Sequence, residues 1–184
     1  GYDDIIIGAP YADSSTVLDQ DNGAVFVIYG QSTLDTSYES SDYGVSISFD
    51  ETFFPHEDGM FGGAVAVGDF NGDGIMDYAV SSDEYGWGSP GNGLVLIALG
   101  QASGDPIMRV LINGSEEGAE LGEGIDSLEN LGDINGDGRD DLGITDSDGR
   151  FFIVWGQANW PTNDYDYDND GVNDTYLLDL SQTS

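Results

Sequence analysis

Two short elements recur along this chain in the same order, and that recurrence restricts the fold more than any composition does. One is an apolar run that stops at Gly-Gln: Val25–Gln31, Val95–Gln101 and Phe151–Gln157. The glycines of the dipeptide, Gly30, Gly100 and Gly156, lie 70 and then 56 residues apart. The other precedes each run and has an aspartate at its second position: Asp3-Asp4-Ile5-Ile6-Ile7-Gly8, Met76-Asp77-Tyr78-Ala79-Val80-Ser81 and Asp140-Asp141-Leu142-Gly143-Ile144-Thr145. Its closing aspartates, Asp4, Asp77 and Asp141, are spaced by 73 and 64 residues. Two series in step at one approximate period describe a repeat of a single supersecondary unit.

The units read as strands. Their apolar runs are short, rich in Val, Ile, Phe and Tyr, and bounded by Gly, Asp, Asn and Ser. Continuous rather than alternating apolarity predicts burial on both faces, as when one small sheet stacks on the next. In the second unit strands are expected near Gly63–Val67, Asp77–Ser82, Gly93–Leu99 and Met108–Ile112, and no amphipathic helix is apparent. Four strands per repeat without helices predicts an all-β fold, a partial β-propeller of about three four-stranded antiparallel blades. The blades divide as residues 1–52 (lacking the first strand), 53–114 and 115–184, the last carrying an inserted Asp-rich loop at 163–174.

Between the first two strands of a unit lies the sharpest chemistry. Asp69–Asp77 and Asp133–Asp141 both spell D-x-N-G-D-G-x-x-D. Calcium takes six to eight oxygens at roughly 2.3–2.6 Å. Side chains at positions 1, 3, 5 and 9 and the carbonyl at position 7 supply them: Asp69, Asn71, Asp73, Ile75 and Asp77 in one loop, Asp133, Asn135, Asp137, Arg139 and Asp141 in the other. Glycine at position 6 permits the turn that folds these oxygens inward. A third stretch fits the related string D-x-D-x-D-G-x-x-D through Asp166, Asp168, Asp170, Val172 and Asp174. It is out of register with the repeat and is expected as an insertion between the last two strands of the third blade. Gly1–Asp4 has the form of the tail of a further such loop. About three intact calcium sites are therefore expected. An EF-hand would need a bidentate Glu at position 12, where these loops have Val80, Ile144 and Leu177. Turns without metal are the plainer alternative for any single string, but not for two identical ones at the repeat period.

Composition agrees with the loops. The 36 acids comprise 27 Asp and 9 Glu against three Arg and no Lys, for a formal net charge of −33. Asp favours turns and metal loops, where a charged helical protein prefers Glu. The field of such a chain repels nucleic acid and anionic membrane surfaces, and no apolar run reaches the length of a membrane span. No cysteine is present, so disulfides, thiol catalysis and thiolate metal sites are excluded together.

Phe61-Gly62-Gly63-Ala64-Val65-Ala66-Val67-Gly68-Asp69, followed by its Asp loop, resembles the first half of an FG-GAP repeat, and Ile7-Gly8-Ala9-Pro10 supplies the other half. This is the repeat of the integrin α-subunit β-propeller and of bacterial secreted and surface proteins. The resemblance runs from Gly1 to about Gly156. It departs at Val80-Ser81-Ser82 and Ile144-Thr145-Asp146, where Gly-Ala-Pro is expected, and at Leu121-Gly122 in place of Phe-Gly. It implies calcium on the loop residues named above, an extracellular setting, and a role in adhesion or scaffolding. A non-catalytic accessory propeller of a secreted hydrolase, or a subunit of an extracellular fibre or appendage, is the alternative. Three blades leave two apolar faces, so remaining blades or neighbouring subunits are expected to cover them. A protein or glycan ligand is compatible with such a module.

Little else in the chain points to chemistry. His56 is the sole imidazole and has no Cys or Lys to pair with, and no G-x-S-x-G string exists, so no enzymatic activity is expected. Trp155 aligns with the core strands and is expected to be buried. Trp87 and Trp160 fall in loops, where wedging against a neighbouring blade competes with stacking on a sugar or partner. Asn113-Gly114-Ser115 and Asn173-Asp174-Thr175 are formal glycosylation sequons.

Overall fold

A computed structural model describes residues 4–12, 23–28, 30, 32, 45–47, 60–82, 91–102, 107–114, 118–161 and 176–180. The expectations placed on His56, Trp87, Asn173 and the Asp166–Asp174 loop lie outside these residues. Among them there are eleven strands and no α-helix, and no helix long and apolar enough to cross a membrane.

The strands form three sheets. In the first, β1 (Ile5–Ala9), β2 (Ala24–Ile28) and β3 (Val45–Ile47) meander antiparallel in chain order. In the second, β4 (Val65–Gly68), β5 (Asp77–Ser82), β6 (Leu94–Leu99) and β7 (Ile107–Asn113) do the same. In the third, β8 (Leu128–Gly132), β9 (Asp141–Thr145) and β10 (Phe151–Val154) repeat the meander. The four strands expected in the second unit are all present. β4 begins two residues later than expected, because Gly62 turns the chain at φ 93° before the pairing with β5 starts.

The period-2 geometry of a strand explains how the second sheet becomes a middle layer. Along β6, Leu94, Leu96 and Ala98 share a core with Val25 and Val27 of the first sheet. The intervening Val95 and Ile97 share a second core with Leu128, Leu142, Ile144 and Val154 of the third. Residues of β5 and β7 sort the same way, Tyr78, Val80 and Leu111 to one side and Ala79, Val110 and Ile112 to the other. At roughly 1.5–3 kcal/mol for each fully buried large apolar side chain, these two interlayer cores are the main stabilising term. With no cysteine in the chain, disulfides add nothing to them.

Sheet contacts also explain the repeated glycines of the strand ends. A Cβ on Gly8 of β1 would collide with the Gly62 carbonyl oxygen, and one on Gly122 would press on Ser81 of β5. Counted from the closing aspartates Asp4 and Asp77, it is Ser81 rather than Val80 that stands where Gly8 stands one unit earlier, and it accepts the Ala64 amide on its hydroxyl at 2.8 Å. The departure from Gly-Ala-Pro thus keeps the close approach of consecutive sheets and adds a hydrogen bond.

Two expectations are corrected. β11 (Tyr176–Asp179) is not the fourth antiparallel strand of the third blade. It pairs parallel with β7, Tyr176 opposite Val110 and Asp179 opposite Asn113, so the second sheet has five strands and the third has three. The outer edge of β7 offers unpaired backbone groups, and Leu178 and Leu180 pack into the core between the second and third sheets. Trp155 is not in the core but 48% exposed, beside exposed Phe151 and Ile153 on the outer side of the third sheet. Phe151 and Ile153 match the buried Val95 and Ile97 of β6 and Trp155 the partly buried Leu99, and among the described residues no layer covers them. Trp160, by contrast, is buried between the second and third sheets. Asn113 is 8% exposed within β7, so its sequon is not presented to solvent.

Candidate functional site

The two nine-residue strings connect the first and second strands of their sheets, Asp69–Asp77 between β4 and β5 and Asp133–Asp141 between β8 and β9. Each is built by its own first residue. The Asp69 carboxylate accepts the amides of Gly72, Asp73 and Gly74 at 2.8, 3.0 and 2.9 Å. The Asp133 carboxylate accepts those of Gly136, Asp137 and Gly138 at 2.7, 2.9 and 2.8 Å. Position 3 accepts the amide of position 5 (Asn71 from Asp73, Asn135 from Asp137), and position 5 that of position 7 (Asp73 from Ile75, Asp137 from Arg139). Carboxylate-to-amide bonds of this kind are worth more than neutral ones. Glycine at position 6 was anticipated; position 4 needs it as well, since Gly72 and Gly136 sit at φ 78° and 79° beside Gly74 and Gly138 at 84° and 86°.

Position 9 ends each loop on a carboxylate that is wholly buried, Asp77 and Asp141. The glycine of the Gly-Gln dipeptide is its partner. Gly100 donates its amide to Asp77 Oδ1 at 2.9 Å and Gly156 to Asp141 Oδ1 at 3.0 Å. In the first sheet Gly30 donates to Asp4 Oδ1 at 2.7 Å, so the contact recurs in all three repeats. Glycine is required there because a Cβ on Gly100 or Gly156 would strike the position-8 carbonyl oxygen, that of Met76 or Asp140. The two sequence series that define the repeat are therefore the two halves of one hydrogen bond.

Electrostatics separate the loops. Burial raises the Asp77 carboxyl to about 7, with the Asp73 and Asp69 charges adding to it, while the Gly100 and Asn71 amides pull the other way. In the second loop the amides of Gly138, Asp137 and Gly136, with the Arg139 charge, hold Asp133 below the usual carboxylate range. Arg139 also pairs with Asp137 at 2.8 Å and donates its Nε to the Gly156 carbonyl at 3.1 Å. Besides the carbonyl that the loop pattern assigns to it, Arg139 thus brings a fixed positive charge into the loop.

As a donor set, each loop offers oxygen alone, from five residues, the donor type that hard cations take. The side chains are turned to the loops' own amides, and among the described residues no group of three or more His, Cys, Asp or Glu side chains is arranged to hold a metal ion. Two residues that shape the site carry no motif signal. Asp140, at position 8, accepts the Asp69 amide on Oδ2 at 3.0 Å, and Asn130 donates to both Asp140 Oδ2 and the Val67 carbonyl, at 3.0 and 2.9 Å. Met76 stands at position 8 of the first loop, so comparing the strings hides this contact.

Comparison with known proteins agrees with the repeat. Residues 61–97, from the Phe61-Gly62 turn through the first Asp loop to β6, match the family described as the FG-GAP repeat. Over 153 residues the chain is 30% identical to the phosphatidylinositol-glycan-specific phospholipase D of Rattus norvegicus. That match takes in 79% of this chain and 17% of the relative, so the chain spans a small part of the relative's length. By this match, residues 61–97 of the chain carry an FG-GAP repeat.

Proposed function

We propose that the chain is a calcium-binding extracellular module for adhesion or scaffolding, built from FG-GAP propeller blades and without enzymatic activity of its own. The observation that supports calcium most directly is the pair of loops with one sequence pattern and one hydrogen-bond network, each closing on a fully buried aspartate. Asp69, Asn71, Asp73, the Ile75 carbonyl and Asp77 would hold one ion, and Asp133, Asn135, Asp137, the Arg139 carbonyl and Asp141 another. Asp166, Asp168, Asp170, Val172 and Asp174 are proposed for a third on their sequence alone. Bound there, calcium would neutralise the carboxylates and relieve the repulsion from Asp73 and Asp69 that adds to burial in raising Asp77. The chain's own part is mechanical: β4–β5 and β8–β9 are locked at their turns, and the closing aspartate ties each turn to the third strand of its sheet. Further blades or neighbouring subunits would cover the outer faces carrying Ile5 and Ile7 at one end and Phe151, Ile153 and Trp155 at the other.

Excess chelator is expected to lower the melting temperature markedly, and Asp73→Ala with Asp137→Ala to reduce the calcium bound per chain. Melting unchanged by chelator would sink the calcium reading. A second reading, an accessory propeller of a secreted hydrolase, is favoured by the 30% identity to a protein named as a phospholipase D, of which this chain spans 17%. Reading the native transcript from end to end separates the two, since only the second requires a catalytic domain on the same chain.

A further inference from the structure

Position 8 of the second loop faces away from that loop's own oxygens and toward the sheet before it. Both backbone polar groups of Asp69 are bonded to Asp140: its carbonyl accepts the Asp140 amide at 3.0 Å, and its amide donates to Asp140 Oδ2 at 3.0 Å. Asn130 braces the same carboxylate while donating to the Val67 carbonyl, and its own Oδ1 accepts the Gly132 amide at 2.7 Å. One residue further, the Phe70 carbonyl accepts the Gln157 amide at 2.9 Å. The backbone around position 1 of the first loop is thus held by three residues of the following repeat. Asp69 is the residue whose carboxylate gathers the amides of Gly72, Asp73 and Gly74. Wherever the Asp69 backbone stands, the rest of that loop follows.

We propose that Asp140 is the positioning residue of the first Asp loop, acting across the sheet boundary on Asp69, so that this loop is completed by the repeat that follows it. Met76, the position-8 side chain of the first loop, has no carboxylate with which to serve the preceding sheet in this way. As far as it concerns metal, this inference rests on the calcium reading above; the positioning itself does not.

The first arm of the test is therefore calcium-free. Amide exchange of the full chain, followed residue by residue by NMR, should show the Asp69 amide exchanging about tenfold faster in Asp140→Ala. Asp140→Asn, whose Oδ1 can accept the same amide, should restore most of the protection. Asn130→Ala, which removes only the brace, should give a smaller acceleration, and it serves if Asp140→Ala does not fold. Unchanged protection at Asp69 in these variants overturns the proposal whatever calcium does. The second arm uses calcium alone as the probe, by titration calorimetry. With the second loop disabled by Asp137→Ala, adding Asp140→Ala should weaken binding several-fold, with Asn again rescuing. With the first loop disabled by Asp73→Ala, the same change should matter less than about twofold. Equal losses in the two backgrounds overturn the crossed assignment. If neither background binds calcium, the calcium reading fails and the exchange arm alone decides the positioning role.

Discussion

The loops at Asp69–Asp77 and Asp133–Asp141 share one nine-residue string and one internal hydrogen-bond network, yet they occupy different surroundings. Position 2 of the first is Phe70, 1% exposed and packed between two sheets; position 2 of the second is Ile134, 52% exposed. The first loop exchanges hydrogen bonds with Asp140 and accepts one from Gln157 of the next repeat, whose Asn130 donates to Val67 on the strand leading into the loop. The second has Arg139, which answers Asp137 with a charge from within. The string encodes the turn, and the neighbouring repeat decides whether that turn is part of a core.

Three comparisons test the contrast. Phe70→Ala should cost about 3–5 kcal/mol of unfolding free energy, whereas Ile134→Ala should stay within about 0.5 kcal/mol. Comparable losses in chemical denaturation would mean that the two loops share an environment after all. The next effect is electrostatic and belongs to the calcium-free chain. Asp77 in the folded protein holds its proton up to about 7, against an ordinary value of 3.8. Between those limits the folded state binds more protons than the unfolded one, so the contribution is fully present below about 4 and is lost as pH rises through 7. Melting in chelator should therefore fall more between pH 5 and pH 8 in wild type than in Asp77→Asn, whose side chain stays neutral. A steeper fall in the variant would break the argument. The smallest effect concerns Arg139, a partly exposed pair worth less than about 1 kcal/mol to stability. Arg139→Met should leave melting almost unchanged and raise the calcium affinity of the second loop a few-fold in titration. Ile75→Arg should do the reverse at the first.

Much of this was legible in the residues because it is local. β5, β6 and β7 fall where their apolar runs predict, and the glycine turns of the loops follow from the string. The layered core was anticipated from runs such as Leu94–Leu99, which are buried on both faces. What was not legible depends on a partner distant in sequence. Trp155 has the pattern of a core residue and lacks a covering layer among the described residues. β11 chooses β7 over β10, a pairing that no local pattern specifies. Gly100 and Gly156 were visible as markers of the repeat, but the reason for them, a carbonyl oxygen lying where a Cβ would go, exists only once the loop is folded. Asp140 was hidden by Met76 at the equivalent position.

The reciprocal bonding between Asp69 and Asp140 has a practical consequence for anyone who would transplant these repeats. A segment cut at the sheet boundaries, such as 60–114, would leave behind the three side-chain and backbone groups that hold its own loop. The self-contained portable unit is staggered, running from the loop of one sheet through Asn130, Asp140 and Gln157 of the next. Grafts, duplications and domain cuts made on that offset frame should keep their loops intact, and cuts made between sheets should not.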